Sequence, residues 1–174
     1  MEFRIREATN ADVEGIVGVV KAVYDEYGFT WDAEEYHADL YDPDEFYWRA
    51  GDQFFVAEDG EIRGVIGLCF HDLIPGEPGG TAWHEDKVRA AGSDCSLERL
   101  YVHPEARRRG IGEALTREVI ERAKREGKRA MELWSDKRFG DAHRLYGRFG
   151  AATIGERICH DPDQSPEWGL LIRL

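Results

Sequence analysis

Sixteen consecutive residues, Leu97 to Gly112, read LERLYVHPEARRRGIG and constrain the fold more than any other stretch of the chain. Ser96 to His103 predicts a strand, and Pro104 ends it because proline brings no N–H to a ladder. A tight loop follows, Arg107-Arg108-Arg109-Gly110-Ile111-Gly112. Glu113 to Glu126 then predicts a helix, with Leu115, Val119 and Ala123 on one face and Gly127 as its stop. A helix start offers N–H groups without internal acceptors and the positive end of the helix dipole, and both suit a phosphate. The two glycines let the backbone approach phosphate oxygens with no side chain in the way, and three arginines add charge. Two common phosphate motifs do not fit: GxGxxG would need a glycine where Leu115 stands, and the GK[ST] of a P-loop is missing. The pattern present is Arg-x-x-Gly-x-Gly, from Arg107 to Gly112.

The rest of the chain supplies a framework of mixed β and α order. Phe3 to Glu7 alternates as a strand, and Thr9 or Asn10 caps a helix whose apolar face is Val13, Ile16, Val17, Val20 and Tyr24, with Gly28 as its end. A second, acidic helical stretch runs from about Asp32 to Leu40, and Pro43 breaks it. Gln53 to Glu58 and Ile62 to Phe70 predict two strands, joined by a hairpin turn at Glu58-Asp59-Gly60-Glu61. His71 to Asp94 dissolves into Pro, Gly and charge and predicts a long surface loop. Arg129 to Trp134 predicts a strand. Phe139, Ala142, Tyr146 and Phe149 line a further helix closed by Gly150, and strands at Ala152 to Ile158 and Trp168 to Leu174 finish the chain. With 174 residues, no internal repeat and no linker, this order predicts one α/β domain with helices on both faces of its sheet.

Strand, arginine–glycine loop and amphipathic helix resemble the acetyl-CoA-binding core of the GCN5-related N-acetyltransferase (GNAT) superfamily, and the order of elements resembles that family over nearly the whole chain. The resemblance implies a single N-acetyltransferase domain over residues 1–174, built on a central, strongly twisted mixed sheet of six or seven strands. It implies acetyl-CoA as cosubstrate and no metal. Backbone amides from Arg108 to Gly112, within the loop Arg107, Arg108, Arg109, Gly110, Ile111 and Gly112, are then expected to hold the CoA pyrophosphate. In the segment Leu100-Tyr101-Val102, main-chain groups of Leu100 and Val102 are expected to pair with the pantetheine arm, in a V-shaped gap where this strand splays from the next. The N–H of Leu100 or Val102 is also expected to stabilise the oxyanion of the tetrahedral intermediate. Tyr146 matches the tyrosine that the family often uses to protonate the departing thiolate. The run Ser135-Asp136-x-Arg138-Phe139-x-x-Ala142-His143-x-Leu145-Tyr146 resembles a variant common in bacterial members. Two positions depart from the family pattern: Phe139 stands where many members have an Asn that contacts the cofactor arm, and Ala151 replaces a frequent Phe.

Amine acetylation needs a proton acceptor, because an amine of pKa about 10 is mostly ammonium at neutral pH. Glu98 is the candidate base, since strand alternation puts it on the face of Leu100 and Val102; the competing reading is a surface or ion-paired carboxylate. For Tyr146 the competing reading is an aromatic on the buried face of its helix. His103 reads as structural, and His143 shares a helix with Tyr146. The pairs His71/Asp72 and His160/Asp161 are loop pairs without metal-site spacing. Ser135 and Cys159 show no base partner at a recognisable spacing, so a covalent nucleophile is not expected.

Composition narrows the partners. With 23 Lys+Arg against 35 Asp+Glu and a net charge of -12, the chain repels nucleic acid and anionic lipid. From Asp25 to Asp59 there are 12 acids and one base, Arg49, whereas Arg107 to Arg148 holds 13 bases and 7 acids. That asymmetry suits CoA phosphates in the second half. The resemblance implies an acceptor site flanked by the first two helices, and their acidity leaves two readings open: a cationic amine acceptor, small molecule or peptide, or an acidic face that only keeps the protein soluble. Cys69, Cys95 and Cys159 form no CxxC pair, the first residues lack the apolar core of a signal peptide, and no apolar run is long enough to span a bilayer. A cytoplasmic protein is expected. The family resemblance also makes a homodimer common, and leaves a second reading open: an acyl-CoA-binding regulatory module that keeps the cofactor site without effective turnover.

Overall fold

The computed structural model describes residues 2–174. The chain divides into two compact units, residues 1–69 with 98–119, and residues 70–97 with 120–174. Its strands are β1 (Arg4–Glu7), β2 (Gln53–Glu58), β3 (Ile62–Phe70), β4 (Thr81–His84), β5 (Lys87–Ala90), β6 (Cys95–Val102), β7 (Ala130–Asp136), β8 (Ala152–Ile158) and β9 (Pro166–Arg173). Its helices are α1 (Val13–Tyr27), α2 (Ala38–Tyr41), α3 (Ile111–Arg125) and α4 (Gly140–Arg148). Seven strands form one mixed sheet in the order β1-β2-β3-β6-β7-β9-β8, and β4 and β5 form a second sheet of two.

In the first unit, β1, β2 and β3 pair antiparallel, with Phe54 opposite Gly67 and Val56 opposite Val65. Thr9 and Asp12 close a capping box on a 3₁₀ turn, Asn10–Asp12, that feeds α1. Gly28 ends α1 at φ 71°, a left-handed cap that favours glycine. The buried face of α1 is Ile16, Val19, Val20, Val23 and Tyr24. Val13 and Val17 are only half-buried, because the helix starts at Val13 after the 3₁₀ turn and its inward stripe lies one position further along. The acidic stretch after α1 is less helical than expected. Turns cover residues 33–37, α2 is a single turn, and a π-helical turn, Asp44–Trp48, continues past Pro43. The core of this unit joins Ile16, Val20, Tyr24, Leu40, Tyr47, Phe54, Val56 and Val65.

In the second unit, β7 pairs antiparallel with β9 along Ala130↔Arg173 to Asp136↔Glu167, and β8 pairs with the outer side of β9. The parallel ladder of β6 with β7 consists of Cys95↔Met131 and Ser96↔Glu132. The expected surface loop of residues 71–94 is a correction. It folds as the β4–β5 hairpin, Thr81↔Ala90 to His84↔Lys87, and residues 89–97 are buried. The hairpin is anchored from below. Arg89 ion-pairs with the buried carboxylate of Glu132, which also accepts from Ala90 N at 2.8 Å and Trp134 Nε1 at 3.0 Å. Arg157 stacks on Trp134 at 4.2 Å and donates to Val88 O at 2.9 Å.

Candidate active site

Strand β6 departs from simple alternation at Arg99, whose φ is +53°. A Cβ built on Gly67 would lie 2.9 Å from Tyr47 Cε1 and 3.3 Å from Glu98 Cβ, so Glu98 shares the α1 side of the sheet with Tyr47. Arg99 reaches the same side, donating from Nε and Nη2 to both Asp39 carboxylate oxygens at 3.1 and 2.8 Å and stacking on Tyr36 at 4.7 Å. Tyr101 joins it there, its ring 6.1 Å from that of Tyr24. Leu100 and Val102 therefore fall to the opposite, α3 side. The expectation that Glu98 shares a face with them is corrected, because one left-handed residue places two successive side chains on one face. Glu98 itself is exposed.

Around Arg99 lies a dense polar and aromatic cluster. Burial pulls the guanidinium toward neutrality, but the charge of Asp39 outweighs it and holds Arg99 firmly protonated. Tyr47 donates its hydroxyl to Asp39 Oδ2 at 2.7 Å, and burial together with that carboxylate pushes the phenol far up. Burial, then the charges of Glu98 and Asp52, likewise keep the Cys69 thiol protonated. His37 is fully buried, stacked on Trp31 at 3.9 Å, and pushed down to about 4 by burial and the Arg99 charge.

The loop after β6 is built around two left-handed residues, Arg108 at φ +60° and Gly110 at φ +83°. His103 Nδ1 accepts from Glu105 N at 3.3 Å and caps the 3₁₀ turn Pro104–Ala106, a structural role. Ala114 N donates to Gly110 O at 3.0 Å, so the amides of Ile111 and Gly112 precede the first helical bond, where a helix has no internal acceptor for them. The three arginines are not equivalent. Arg107 makes a two-pronged pair with Glu26 at 2.8 Å, at the end of α1. Arg109 pairs with Asp59 at 2.8 Å, while Arg63 holds the other Asp59 oxygen at 2.9 Å. Those two guanidiniums hold the Asp59 carboxyl below the usual range. Arg107 and Arg109 thus brace the loop, and Arg108 is the exposed cation. Nothing in the sequence spacing flagged Asp59 or Glu26, which meet the loop only through the tertiary fold. The floor of the loop is tight as well, since a Cβ on Gly64 would come within 2.7 Å of Ile111 Cγ2 and 2.9 Å of Leu115 Cδ1.

In the second unit, α4 carries Tyr146, whose residue is 4% exposed. One turn earlier, His143 Nε2 lies 3.0 Å from Ser135 Oγ at the end of β7. Burial lowers the His143 pKa, with the Asp136 carboxylate and main chain opposing, so the ring is neutral at pH 7. Ser135 therefore has an imidazole partner that sequence spacing did not show, because a strand-to-helix turn brings positions eight apart together. Asp136 is held by Arg138 through 2.6 and 2.8 Å bonds. In the loop pairs, His71 Nδ1 meets Asp72 O at 2.8 Å while its Nε2 lies 3.6 Å from Glu132 Oε1, and Asp161 accepts from Ser165 N and Oγ at 2.7 and 2.6 Å. Among the described residues, no group of three or more His, Cys, Asp or Glu is placed to hold a metal ion, and no helix is long and apolar enough to cross a membrane.

A seven-stranded mixed sheet with an arginine–glycine loop opening α3 defines an acetyltransferase-type fold. Residues 20–151 match the acetyltransferase (GNAT) family, and the chain belongs to that family. The fold is similar to that of a GNAT-family acetyltransferase from Staphylococcus aureus Mu50, with a TM-score of 0.75, 19% identity and 99% of each chain covered. It is also similar to yncA, a putative acetyltransferase from Salmonella typhimurium solved with its cofactor acetyl-CoA, with a TM-score of 0.69, 18% identity, and 99% of this chain and 94% of that one covered. A 56-residue stretch is 41% identical to an uncharacterized N-acetyltransferase of Methanocaldococcus jannaschii, spanning 32% of this chain and 25% of that relative.

Proposed function

We propose that this chain, acting as one N-acetyltransferase domain over residues 1–174 in the cytoplasm, transfers the acetyl group of acetyl-CoA to a primary amine by direct attack in a ternary complex. The observation that carries the reading is the loop Arg107 to Gly112, with left-handed Arg108 and Gly110 directly ahead of the first turn of α3. The amides there suit a pyrophosphate, and the braces Arg107–Glu26 and Arg109–Asp59 set them in advance of binding. Amides from Arg108 to Gly112 hold the pyrophosphate, with the exposed Arg108 guanidinium against its charge. Main-chain groups of Leu100 and Val102, beyond the ladder that ends at Ser96, receive the pantetheine arm, and one of their N–H groups meets the developing oxyanion.

Acetyl-CoA supplies the activated acyl group; the chain supplies positions for protons. Glu98, exposed on the α1 side, accepts the ammonium proton directly or through a water. Tyr146 donates its phenolic proton to the departing thiolate. The excess of 12 acids over one base between Asp25 and Asp59 favours a cationic acceptor, small molecule or peptide.

A thermal-shift titration with acetyl-CoA tests the cofactor site. Wild type at 100 times Kd gains about 2.7 kcal/mol of stability, and Gly110→Pro gains none. An amine panel followed by thiol release then tests turnover. Binding without turnover of any amine selects the acyl-CoA-binding module instead, and no shift at millimolar acetyl-CoA overturns the assignment of the loop.

A further inference from the structure

Arg99 interrupts an otherwise regular strand with a φ of +53°, a left-handed region that a non-glycine residue adopts only under strain. Such a conformation persists only where its surroundings over-determine it, and here they do. The guanidinium is largely buried, donates to both oxygens of Asp39, donates to Tyr36 O and stacks on the Tyr36 ring. Asp39 is held in turn by the Tyr47 hydroxyl, and Tyr47 packs against Gly67 beside Glu98. The contacts close a circuit from α2 through Asp39 and Tyr47 to β3 and back to β6. Its consequence is local and definite: Glu98 and Arg99 lie on one side of the sheet, whereas an unbroken strand would send Glu98 to the α3 side with Leu100 and Val102.

We infer that Arg99, clamped by Asp39 and Tyr36, is a positioning residue that fixes the bulge in β6 and thereby presents the Glu98 carboxylate on the α1 side while Leu100 and Val102 face away. The inference rests on the proposed role of Glu98 as proton acceptor. Arg99 does not touch the reacting atoms; it sets which face of the strand each neighbour occupies. Lysine cannot replace it, because an ammonium has no planar fork for two carboxylate oxygens and a carbonyl at once.

The test combines kinetics with structure. Arg99→Lys lowers kcat/KM for the amine about 100-fold, the scale expected when a reacting group is misplaced by about an ångström, while KM for acetyl-CoA stays within about twofold. Glu98→Gln lowers kcat/KM by about 100-fold or more. If Arg99 acts through Glu98, the double variant is no slower than the slower single variant. Losses that multiply overturn the inference, because a purely structural lesion adds independently. Asp39→Asn repeats the experiment without altering the strained residue, and melting curves establish that each variant is folded. A crystal structure of Arg99→Lys supplies a readout that needs no turnover: φ at residue 99 turns negative and Glu98 leaves the side of Gly67. Retention of both features overturns the clamp. Should Glu98→Gln leave kcat/KM unchanged, the role assigned to Glu98 falls by itself, and the crystal structure still decides whether Arg99 and Asp39 hold the bulge.

Discussion

His37 shows how a single buried side chain ties stability to pH. It is fully enclosed, its Nδ1 faces the Asp32 main chain at 3.1 to 3.2 Å, Asp39 and Arg99 stand nearby, and its Nε2 has no hydrogen-bond partner among the described residues. Its folded pKa of about 4 lies below the unfolded value of 6.5. Between those values the unfolded chain binds the extra proton, so the stability due to this group is complete above pH 6.5 and is lost as pH falls toward 4. The linkage amounts to about 3 kcal/mol at 1.36 kcal/mol per pKa unit. His37→Phe keeps the stack on Trp31 and removes the titration. Urea unfolding from pH 7 to pH 4 is expected to show a shallower loss in the variant by about that amount, and an unchanged slope would refute the assignment. Gly64 acts through space instead of charge. A methyl there overlaps Ile111 and Leu115, so Gly64→Ala pushes on the first turn of α3 and costs about 1–3 kcal/mol. Because that turn carries the amides proposed to hold the pyrophosphate, the same variant is expected to bind acetyl-CoA more weakly in calorimetry as well as to melt earlier.

Elements whose character is written locally were legible in the sequence. Strands β2, β3 and β8 run where alternation and turn residues put them, and α3 begins at the glycines of its loop. The β4–β5 hairpin was not legible, for a reason its turn makes plain. Glu85 and Asp86 sit at φ +49° and +60°, the two left-handed positions of a tight hairpin, yet neither is the glycine or asparagine that signals such a turn. The conformation is imposed from outside, by Arg89 on Glu132 and Arg157 on Val88 O. The same division runs through the candidate site: the loop Arg107 to Gly112 announced itself, whereas its braces Glu26 and Asp59, the Ser135–His143 pair and the bulge at Arg99 depend on partners 8 to 81 residues away. The hairpin gives a direct test of such imposed structure. Arg89→Met strands a buried carboxylate and is expected to cost about 3–5 kcal/mol in urea unfolding, and to open the segment around residues 76–92 to protease. Arg89→Met with Glu132→Gln removes the stranded charge while keeping an acceptor for Ala90 N and Trp134 Nε1, and is expected to recover much of that loss. Equal instability of the single and double variants would show that the hairpin is not held by this pair.

Across the whole molecule, charge decides what a substrate meets first. A net charge of -12 surrounds the protein with a field that draws cations, and the acids of residues 25–59 concentrate it. The structure separates those that hold the fold from those that face solvent. Asp39 is tied to Arg99, Glu26 to Arg107 and Asp59 to Arg63 and Arg109, and Asp32 accepts from the amides of Glu35 and Tyr36. Asp25, Glu34 and Glu35 are exposed. Neutralising the tied group would confuse loss of structure with loss of attraction, so the informative variant is Asp25→Asn, Glu34→Gln and Glu35→Gln together. For a cationic amine acceptor, this variant is expected to raise KM several-fold at about 0.01 M salt, where the screening length is about 30 Å, and to differ little from wild type at about 1 M, where it is about 3 Å. KM for acetyl-CoA and the melting temperature should move little in either condition. If the acceptor KM is the same in variant and wild type at low salt, the acidic surface serves solubility alone, and the acceptor is to be sought among amines without a further positive charge.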